Sequence, residues 1–236
     1  MIIEHFFPDR DSLFAALAEE CETTLKAAIS NNRSATLMVS GGSTPMPLYK
    51  KLSELDMAWS NVSVALVDER WVDEDHPGSN EAFVKSSLLQ NRATSAKFVA
   101  MKTDDETAEL GLDHCENEYR KLQAPFDLTI LGMGPDGHIA SLFPASQGLE
   151  AGLDSANNKL CAAIQANQSE VTGELTERMS LSFTGLMHSR QLHLLITGQE
   201  KLDVYRQALS CKHDGSMPVS SILHQYDIPV IVYWAP

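Results

Sequence analysis

The residues with the clearest chemical potential lie in a glycine-rich stretch near the middle of the chain. His138 follows Gly132-Met133-Gly134-Pro135-Asp136-Gly137, so a carboxylate and an imidazole stand two positions apart around one glycine. An imidazole near its ordinary pKa is the usual base for activating water at neutral pH, and a carboxylate beside it can orient the ring. Asp136 and His138 are therefore a candidate acid–base pair, although a histidine in such a turn is also compatible with an ordinary surface residue.

A second candidate site follows an earlier apolar run, in the segment Ser40-Gly41-Gly42-Ser43-Thr44-Pro45. Glycines let backbone N–H groups approach a ligand closely, and the start of a following helix favours negative charge. The hydroxyl groups of Ser43 and Thr44 add donors. The pattern predicts a phosphate-binding loop made by Gly41, Gly42, Ser43 and Thr44, although an ordinary strand-to-helix turn has the same composition. Its spacing is not that of a Walker loop.

Isolated cations in this acidic chain are the third feature. Arg70, Arg178 and Lys201 each lie beside a predicted strand end or helix start. Singly, each is typical of a surface charge, but together they could neutralise a phosphate group. Asp68, two residues before Arg70, either contacts the ligand or braces the arginine. No third metal ligand accompanies the histidine and aspartate pair, so no metal site is predicted.

The glycine spacing Gly132-x-Gly134-x-x-Gly137 also matches the dinucleotide-binding fingerprint as a string. That fingerprint needs a long helix opening on the last glycine and an acidic residue about 20 positions later. Pro144 interrupts the segment soon after the last glycine. We therefore expect no nicotinamide cofactor.

Composition sets broader limits. With 236 residues and 43% hydrophobic content, and with no Gly/Ser/Pro-rich linker, the sequence predicts one domain spanning 1–236. A net charge of -14 argues against nucleic-acid or anionic-membrane partners, but two or three local cations could still hold a small anion. The four scattered cysteines, the absence of a targeting pattern at the N-terminus and the absence of a membrane-length apolar run indicate a soluble cytoplasmic protein. The oligomeric state stays open between monomer and homodimer.

Short apolar runs alternate with segments of helical periodicity along nearly the whole chain. This alternation predicts an α/β fold with a mainly parallel central sheet and helices on both faces. Ligands of such sheets bind outside the carboxyl ends of the strands, where the histidine turn is expected. Strands are predicted at 2–7, 36–39, 62–67, 126–131, 160–164, 178–183, 191–197 and 228–233, and the helices at 9–31, 45–52, 79–89, 103–121, 198–209 and 217–224.

Taken together, these segments resemble the 6-phosphogluconolactonase family. The residues that carry the resemblance are Ser40–Pro45, Asp68–Val72 with Ser79-Asn80, Gly132–Pro144 and Gly198-x-x-Lys201, in order along nearly the whole chain. The resemblance implies a modified Rossmann-like sheet of the kind shared by glucosamine-6-phosphate deaminase, ribose-5-phosphate isomerase and the CoA transferases. It also implies hydrolysis of a phosphosugar lactone, 6-phosphoglucono-1,5-lactone, to 6-phosphogluconate in the pentose phosphate pathway, with no metal or organic cofactor.

The resemblance further implies roles for individual residues. His138 matches the family's general base, Arg70 a substrate-contacting arginine, and the 40–45 loop with Arg178 and Lys201 the phosphate-binding positions. One segment departs from the family pattern: a proline-rich lead into Arg178 is replaced here by Val171-Thr172-Gly173-Glu174-Leu175-Thr176. The direction in which Arg178 points is therefore left open.

Two alternatives remain from the sequence. An amino-sugar-phosphate deaminase or isomerase shares the Gly-x-Gly-x-Asp-Gly-His pattern, but its motif continues to a glutamate where this chain has Phe143, which cannot transfer protons. A sensor that binds a sugar phosphate without catalysis would use the same loop. The sequence has no basic DNA-binding region for such a role, and turnover of substrate would separate an enzyme from a sensor.

Overall fold

Strands and helices alternate along the chain in the computed structural model, which describes residues 1–211 and 215–236. The strands are β1 (Ile2–Phe6), β2 (Ala35–Val39), β3 (Val62–Leu66), β4 (Asp68–Arg70), β5 (Lys97–Val99), β6 (Leu128–Leu131), β7 (Cys161–Gln165), β8 (Glu177–Leu181), β9 (Leu192–Thr197) and β10 (Val230–Ala235). The helices are α1 (Arg10–Asn32), α2 (Met46–Ser53), α3 (Asn80–Ser87), α4 (Ala108–Tyr119), α5 (Leu149–Leu153), α6 (Phe183–Met187), α7 (Gln199–Ser210) and α8 (Val219–Leu223).

The large sheet is parallel throughout. The direction in which successive strands are added along the sheet reverses at β2. The strand order is β1-β10-β9-β6-β2-β3-β5. From β2 the chain moves outward through β3 to β5, then returns to place β6 on the other side of β2. Adjacent strands whose connections run in opposite directions leave a crevice at their carboxyl ends, which is the usual ligand site of open α/β sheets. The loops that follow β2 and β6 meet at that crevice.

The central strands are covered on both faces. Every residue of β2 and β6 is buried, and so is nearly every residue of β9 and β10. Strands buried on both sides read as continuous apolar runs and need helices on both faces of the sheet. The predicted α/β class with a mainly parallel sheet is confirmed, and the buried apolar side chains form one continuous cluster.

A small antiparallel sheet, in the order β4-β8-β7, adjoins the large one. The first connection between the sheets, from β3 to β4, is a single residue, Val67. Its N–H donates to Val39 O of β2 at 2.9 Å, and its C=O accepts from Leu181 N of β8 at 2.8 Å. In the register of β4 with β8, Arg70 lies directly opposite Arg178. Like charges opposite each other across an antiparallel pair are destabilising, so this pairing needs a counter-charge.

Helix starts mostly follow the sequence signals. Asp9 caps α1 by accepting from Ser12 N at 2.8 Å, and Ser79 caps α3 by accepting from Ala82 N at 3.1 Å. The helix expected from residue 103 begins later, at Ala108, because Thr107 provides its N-cap.

The sequence analysis missed β4 and β5 entirely, as well as α6. These elements are three to five residues long, too short for hydrophobic periodicity to show. Among the described residues, none of the helices combines the length and the apolar character that a membrane crossing requires.

Candidate functional site

A cavity of about 670 Å³ opens at the carboxyl ends of the central strands. Its walls come from the loops after β2, β6 and β9 and from the small sheet. A second concavity, of about 490 Å³, lies along β7 and α4, but Lys159 on its wall is ion-paired with Asp113 at 2.8 Å. The larger cavity is the candidate site because its cations have no such partners among the residues that the structure describes. Its predicted residues are Gly41, Gly42, Ser43, Thr44, Asp68, Arg70, His138, Arg178 and Lys201.

The loop after β2 presents backbone donors to the cavity. Gly42 has φ 93°, a conformation that glycine adopts without strain. The N–H groups of residues 41–44 donate to no acceptor within the described ranges 1–211 and 215–236. A Cβ at Gly41 would collide with Asn80 Oδ1, so this position has no room for a side chain. Free N–H groups preceding α2 make this loop suited to an anion.

Asp136 and His138 form a hydrogen-bonded pair in the turn after β6. His138 Nδ1 lies 2.6 Å from Asp136 Oδ1, which also accepts from His138 N at 3.2 Å. Burial alone would raise the pKa of Asp136, but the hydrogen bond and charge of His138 outweigh it, so this pKa lies below its ordinary value. Because a carboxylate holds Nδ1, the ring is oriented with Nε2 left available as a base. Asp136 is hydrogen-bonded to His138 but does not itself line the cavity.

Arg178 is a buried cation with no carboxylate partner. Its side chain is only 4% exposed, and it makes no ion pair with the described residues. Nε donates to Leu175 O at 2.6 Å and Nη2 to Thr172 O at 3.0 Å. Burial lowers its pKa to about 10, and the charge of Arg70 adds to this effect while that of Asp68 opposes it. A buried charge without a counter-ion is costly, which makes Arg178 a strong candidate to hold an anion.

Those same contacts answer the question that the sequence left about Arg178. The segment that departs from the family pattern, 171–176, supplies both carbonyl acceptors of the guanidinium. The segment therefore fixes the arginine at the wall of the cavity, and Val171 lines the wall beside it.

Arg70 reaches the cavity from the opposite strand of the small sheet. Nη1 donates to Gly78 O at 2.8 Å and to Asn80 Oδ1 at 2.9 Å, whereas Nε is buried without a hydrogen-bond partner in residues 1–211 and 215–236. Asn80 Nδ2 donates in turn to Asp68 O at 2.8 Å. One edge of the guanidinium is thus held by protein, and the remaining donors are left for a ligand.

Lys201 completes the ring of cations from the first turn of α7. Burial lowers its pKa, while the charges of Glu200 and Asp136 act against that change. Within the part of the chain that the structure describes, Lys201 forms no ion pair. Among the described residues it is the third cation of the cavity wall without an ion pair, after Arg70 and Arg178.

Phe143 and Ser141 connect the histidine turn to the small sheet. The Phe143 ring lies 4.3 Å from the His138 ring and 5.5 Å from Cζ of Arg178, measured to its centroid. Ser141 Oγ donates to Asp68 Oδ2 at 2.6 Å. These contacts pack the histidine turn against the small sheet, and they give Asp68 a hydrogen bond at the edge of the cavity.

Comparisons with known proteins agree with this arrangement. The sequence profile of the glucosamine-6-phosphate isomerase/6-phosphogluconolactonase family matches residues 8–231. The chain belongs to this family. A 6-phosphogluconolactonase of Rhizobium meliloti is 37% identical over 232 residues, which are 98% of each chain. One of Pseudomonas putida is 35% identical, covering 98% of this chain and 92% of the relative. A crystal structure of a 6-phosphogluconolactonase from Shewanella baltica matches with a TM-score of 0.94 and 38% identity, covering 100% of this chain and 98% of that one.

Membership of the glucosamine-6-phosphate isomerase/6-phosphogluconolactonase family does not by itself identify the residues that support the site. The predicted set omitted Asn80, Ser141 and Phe143, although all three stand inside the quoted motifs. It also omitted Glu69, which is fully buried beside Arg70. Their position in the motifs was an available signal, but their contacts become visible only in the folded chain.

Proposed function

We propose that this chain hydrolyses 6-phosphoglucono-1,5-lactone to 6-phosphogluconate. The observation that carries the proposal is the cross-strand pair of Arg70 and Arg178, two cations without a carboxylate partner in the described residues, across one cavity from the Asp136–His138 pair. Such an arrangement fits an anionic substrate that must meet a base. The lactonases named above, 35–38% identical over nearly their whole length, support the same assignment.

In the proposed reaction, His138 Nε2 takes a proton from water while the water oxygen attacks C1 of the lactone. The tetrahedral oxyanion is stabilised by Arg70 or by backbone N–H groups of a glycine loop. The bond between C1 and the ring oxygen then breaks, and that oxygen receives the proton from the imidazolium. A lactone is an activated ester, so a base, a water molecule and oxyanion support are sufficient. Asp136 keeps the ring in the tautomer that leaves Nε2 free.

Phosphate recognition is proposed for the loop at residues 41–44 together with Arg178 and Lys201. The N–H groups of this loop are unpaired among the residues described, and both cations lack ion-pair partners there. Contacts made to a phosphate far from C1 hold the reacting carbon in register, which is how remote binding energy contributes to catalysis. The net charge of -14 repels the substrate at long range, so these local cations must overcome it.

The broader expectations belong to the same proposal. We propose that residues 1–236 act as one domain and that a phosphosugar lactone is the small-molecule partner. A cytoplasmic location is proposed because the four cysteines are free thiols, as is usual in reducing compartments. The acidic net charge of -14 underlies the proposal that neither nucleic acid nor a membrane surface is a partner.

The test is hydrolysis of freshly prepared lactone, with the spontaneous rate subtracted, by wild type and His138→Ala. A matched control is His114→Ala, because His114 Nδ1 forms a similar pair with Asp105 Oδ2 at 2.7 Å on an exposed surface outside the cavity. We expect His138→Ala to lose about 10²- to 10⁴-fold in kcat and His114→Ala to keep it. Near wild-type kcat in His138→Ala would refute the assignment of the base.

The deaminase alternative is tested in the same preparation with glucosamine 6-phosphate. Phe143, at the position of the deaminase glutamate, is buried against the His138 ring and offers no titratable group. We therefore expect no deamination. Deamination without lactone hydrolysis would replace the proposal, and binding of 6-phosphogluconate without turnover of either substrate would favour the sensor.

A further inference from the structure

A buried carboxylate outside the cavity is the most heavily bonded side chain near the site. Glu69 is 0% exposed, does not line the cavity and accepts four hydrogen bonds. Oε1 accepts from Arg70 N at 2.8 Å and from Asn80 N at 2.7 Å. Oε2 accepts from Glu81 N at 2.7 Å and from Ser79 Oγ at 3.2 Å. Each oxygen of the carboxylate faces donors only, and the proposed reaction does not use it.

These bonds complete the N-terminus of α3. A helix begins with four N–H groups that lack a partner in the helix itself. Here Ser79 N donates to His76 O, Glu69 accepts from the N–H groups of Asn80 and Glu81, and Ser79 Oγ accepts from Ala82 N. A carboxylate at this end of a helix is also favoured by the helix dipole. The first turn of α3 is therefore held in one place relative to β4.

That first turn carries the side chain that holds Arg70. Asn80 Oδ1 accepts from Arg70 Nη1 at 2.9 Å, and its Nδ2 donates to Asp68 O at 2.8 Å. On its other side, the Asn80 amide fills the space left by Gly41 of the loop after β2. A shift of the α3 N-terminus would therefore move the Arg70 guanidinium and crowd the loop at the same time.

From this chain of contacts we infer that Glu69 is a positioning residue, which fixes the Arg70 guanidinium at the cavity through the N-terminus of α3 and Asn80. The inference rests on the proposed function, in which Arg70 contacts the substrate. Glu69 itself touches no reacting atom. Its effect on the reaction passes entirely through the geometry of its neighbour.

The charge of the carboxylate is essential to this role. A protonated oxygen or an amide nitrogen would direct a hydrogen toward the N–H or O–H donors that now point at Glu69, and at least one of these would lose its acceptor. Burial raises the pKa of Glu69 to about 7, whereas the N–H bonds from Asn80, Glu81 and Arg70 act in the opposite direction, so the carboxylate is predominantly charged above that pH. Glu69→Gln, which preserves shape and removes the charge, is therefore the informative variant.

The matched control is Glu116→Gln. Glu116 is another buried carboxylate that accepts backbone bonds, from Leu160 N at 3.1 Å and Cys161 N at 2.9 Å, but it is not part of the cavity wall. We expect both variants to lose thermal stability. Only Glu69→Gln should also lose lactone hydrolysis, by roughly tenfold to a hundredfold in kcat/KM, since displacing a substrate-contacting group by about 1 Å costs on that order.

A double-mutant cycle with Arg70→Ala separates positioning from general destabilisation. If Glu69 acts through Arg70, Glu69→Gln changes the same kinetic constant as Arg70→Ala and causes no further loss when Arg70 is already removed. Additive losses, or full kcat/KM in a folded Glu69→Gln enzyme, would overturn the inference.

The affinity of the same four proteins for 6-phosphogluconate, measured by calorimetry, provides a readout that does not need turnover. A wild type that binds this ligand but does not hydrolyse the lactone would refute the proposed function. The double-mutant cycle would then compare the losses of affinity for 6-phosphogluconate in place of the losses of kcat/KM. Non-additive losses of affinity would support the positioning role, and additive or absent losses would overturn it. A wild type that neither binds nor hydrolyses would overturn both proposals.

Discussion

Replacing Arg178 by methionine should remove most of the stability that the protein gains when it binds ligand. The substitution keeps an unbranched side chain of similar length but removes a buried positive charge. In the absence of ligand, that charge has no ion-pair partner among the residues that the structure describes. An anion in the cavity supplies the missing counter-charge, so the arginine should contribute far more to the bound state than to the free protein.

The magnitudes follow from the burial and contacts of Arg178. Burial lowers its pKa from 12.5 to about 10, so the group stays cationic at pH 7 and its charge costs about 3 kcal/mol in the free fold. Methionine removes this cost but also loses the bonds to Leu175 O and Thr172 O, each worth about 1.5–3 kcal/mol. These effects oppose each other, and we expect ligand-free stability to change by no more than about 3 kcal/mol.

Ligand-induced stabilisation, measured against each protein's own ligand-free Tm, should fall whatever the change in ligand-free stability. At a ligand concentration of about 100 times Kd, binding stabilises a protein by about 2.7 kcal/mol. For a chain of this size, that corresponds to a rise of about 5–10 °C in Tm. Removing one partner of a buried charge pair costs about 2–5 kcal/mol of affinity. At the same ligand concentration, the rise in Tm should therefore fall to about a third or less of the wild-type value in Arg178→Met.

The assay is a thermal melt of wild type and Arg178→Met with and without 6-phosphogluconate. Arg92→Met is the matched control, since Arg92 is 59% exposed and pairs only with the exposed Asp56. The control should keep the full ligand-induced rise. An equal rise in Arg178→Met would refute the reasoning that this arginine is the counter-charge for the phosphate.

Two further predictions concern the histidines. In Gly134→Ala the new Cβ would collide with His138 Nδ1 and crowd Asp136 Oδ1. We expect kcat to fall by about 10²-fold or more, while the melting curve followed by circular dichroism changes little. An unchanged kcat would contradict this prediction. His193 is buried, and neither ring nitrogen has a hydrogen-bond partner in the part of the chain that the structure describes. Burial, helped by the charge of His5, lowers its pKa from 6.5 to about 3. The unfolded chain therefore binds the proton more readily between these values, and stability falls as pH drops below about 6.5. Between pH 7 and pH 5 the free energy of unfolding, measured with denaturant, should fall by about 2 kcal/mol less in His193→Leu than in wild type. An equal fall in both proteins would exclude this histidine as the cause.

Long apolar runs made the central sheet predictable from the sequence. The strands β2, β6 and β9 are buried on both faces, so their composition alone distinguishes them from loops. β4 was missed because Asp68, Glu69 and Arg70 are all charged. Its pairing with β8 is a tertiary contact between residues more than 100 positions apart, which no local pattern encodes.

The candidate site was predictable as a set of residues but not as an arrangement. The glycine-rich motifs identified the loops, because close backbone approach requires glycine whatever the fold. The cross-strand placement of Arg70 and Arg178 depends on a register that only the folded sheet defines. Likewise, nothing near Asn80 in the sequence indicates that its side chain bridges Arg70 and Asp68.

The single-residue connection between the two sheets has a consequence for which substrates fit. His138, the proposed base, lies on a loop of the large sheet, and Arg70 and Arg178 lie on the small one, while the peptide groups of Val67 bond to both sheets. The span from the imidazole to the guanidinium groups is therefore set by main-chain geometry. Exchanging side chains on the cavity wall can tune how tightly a ligand of the right length is held. Accepting a shorter or longer sugar acid would instead require the angle between the sheets to change.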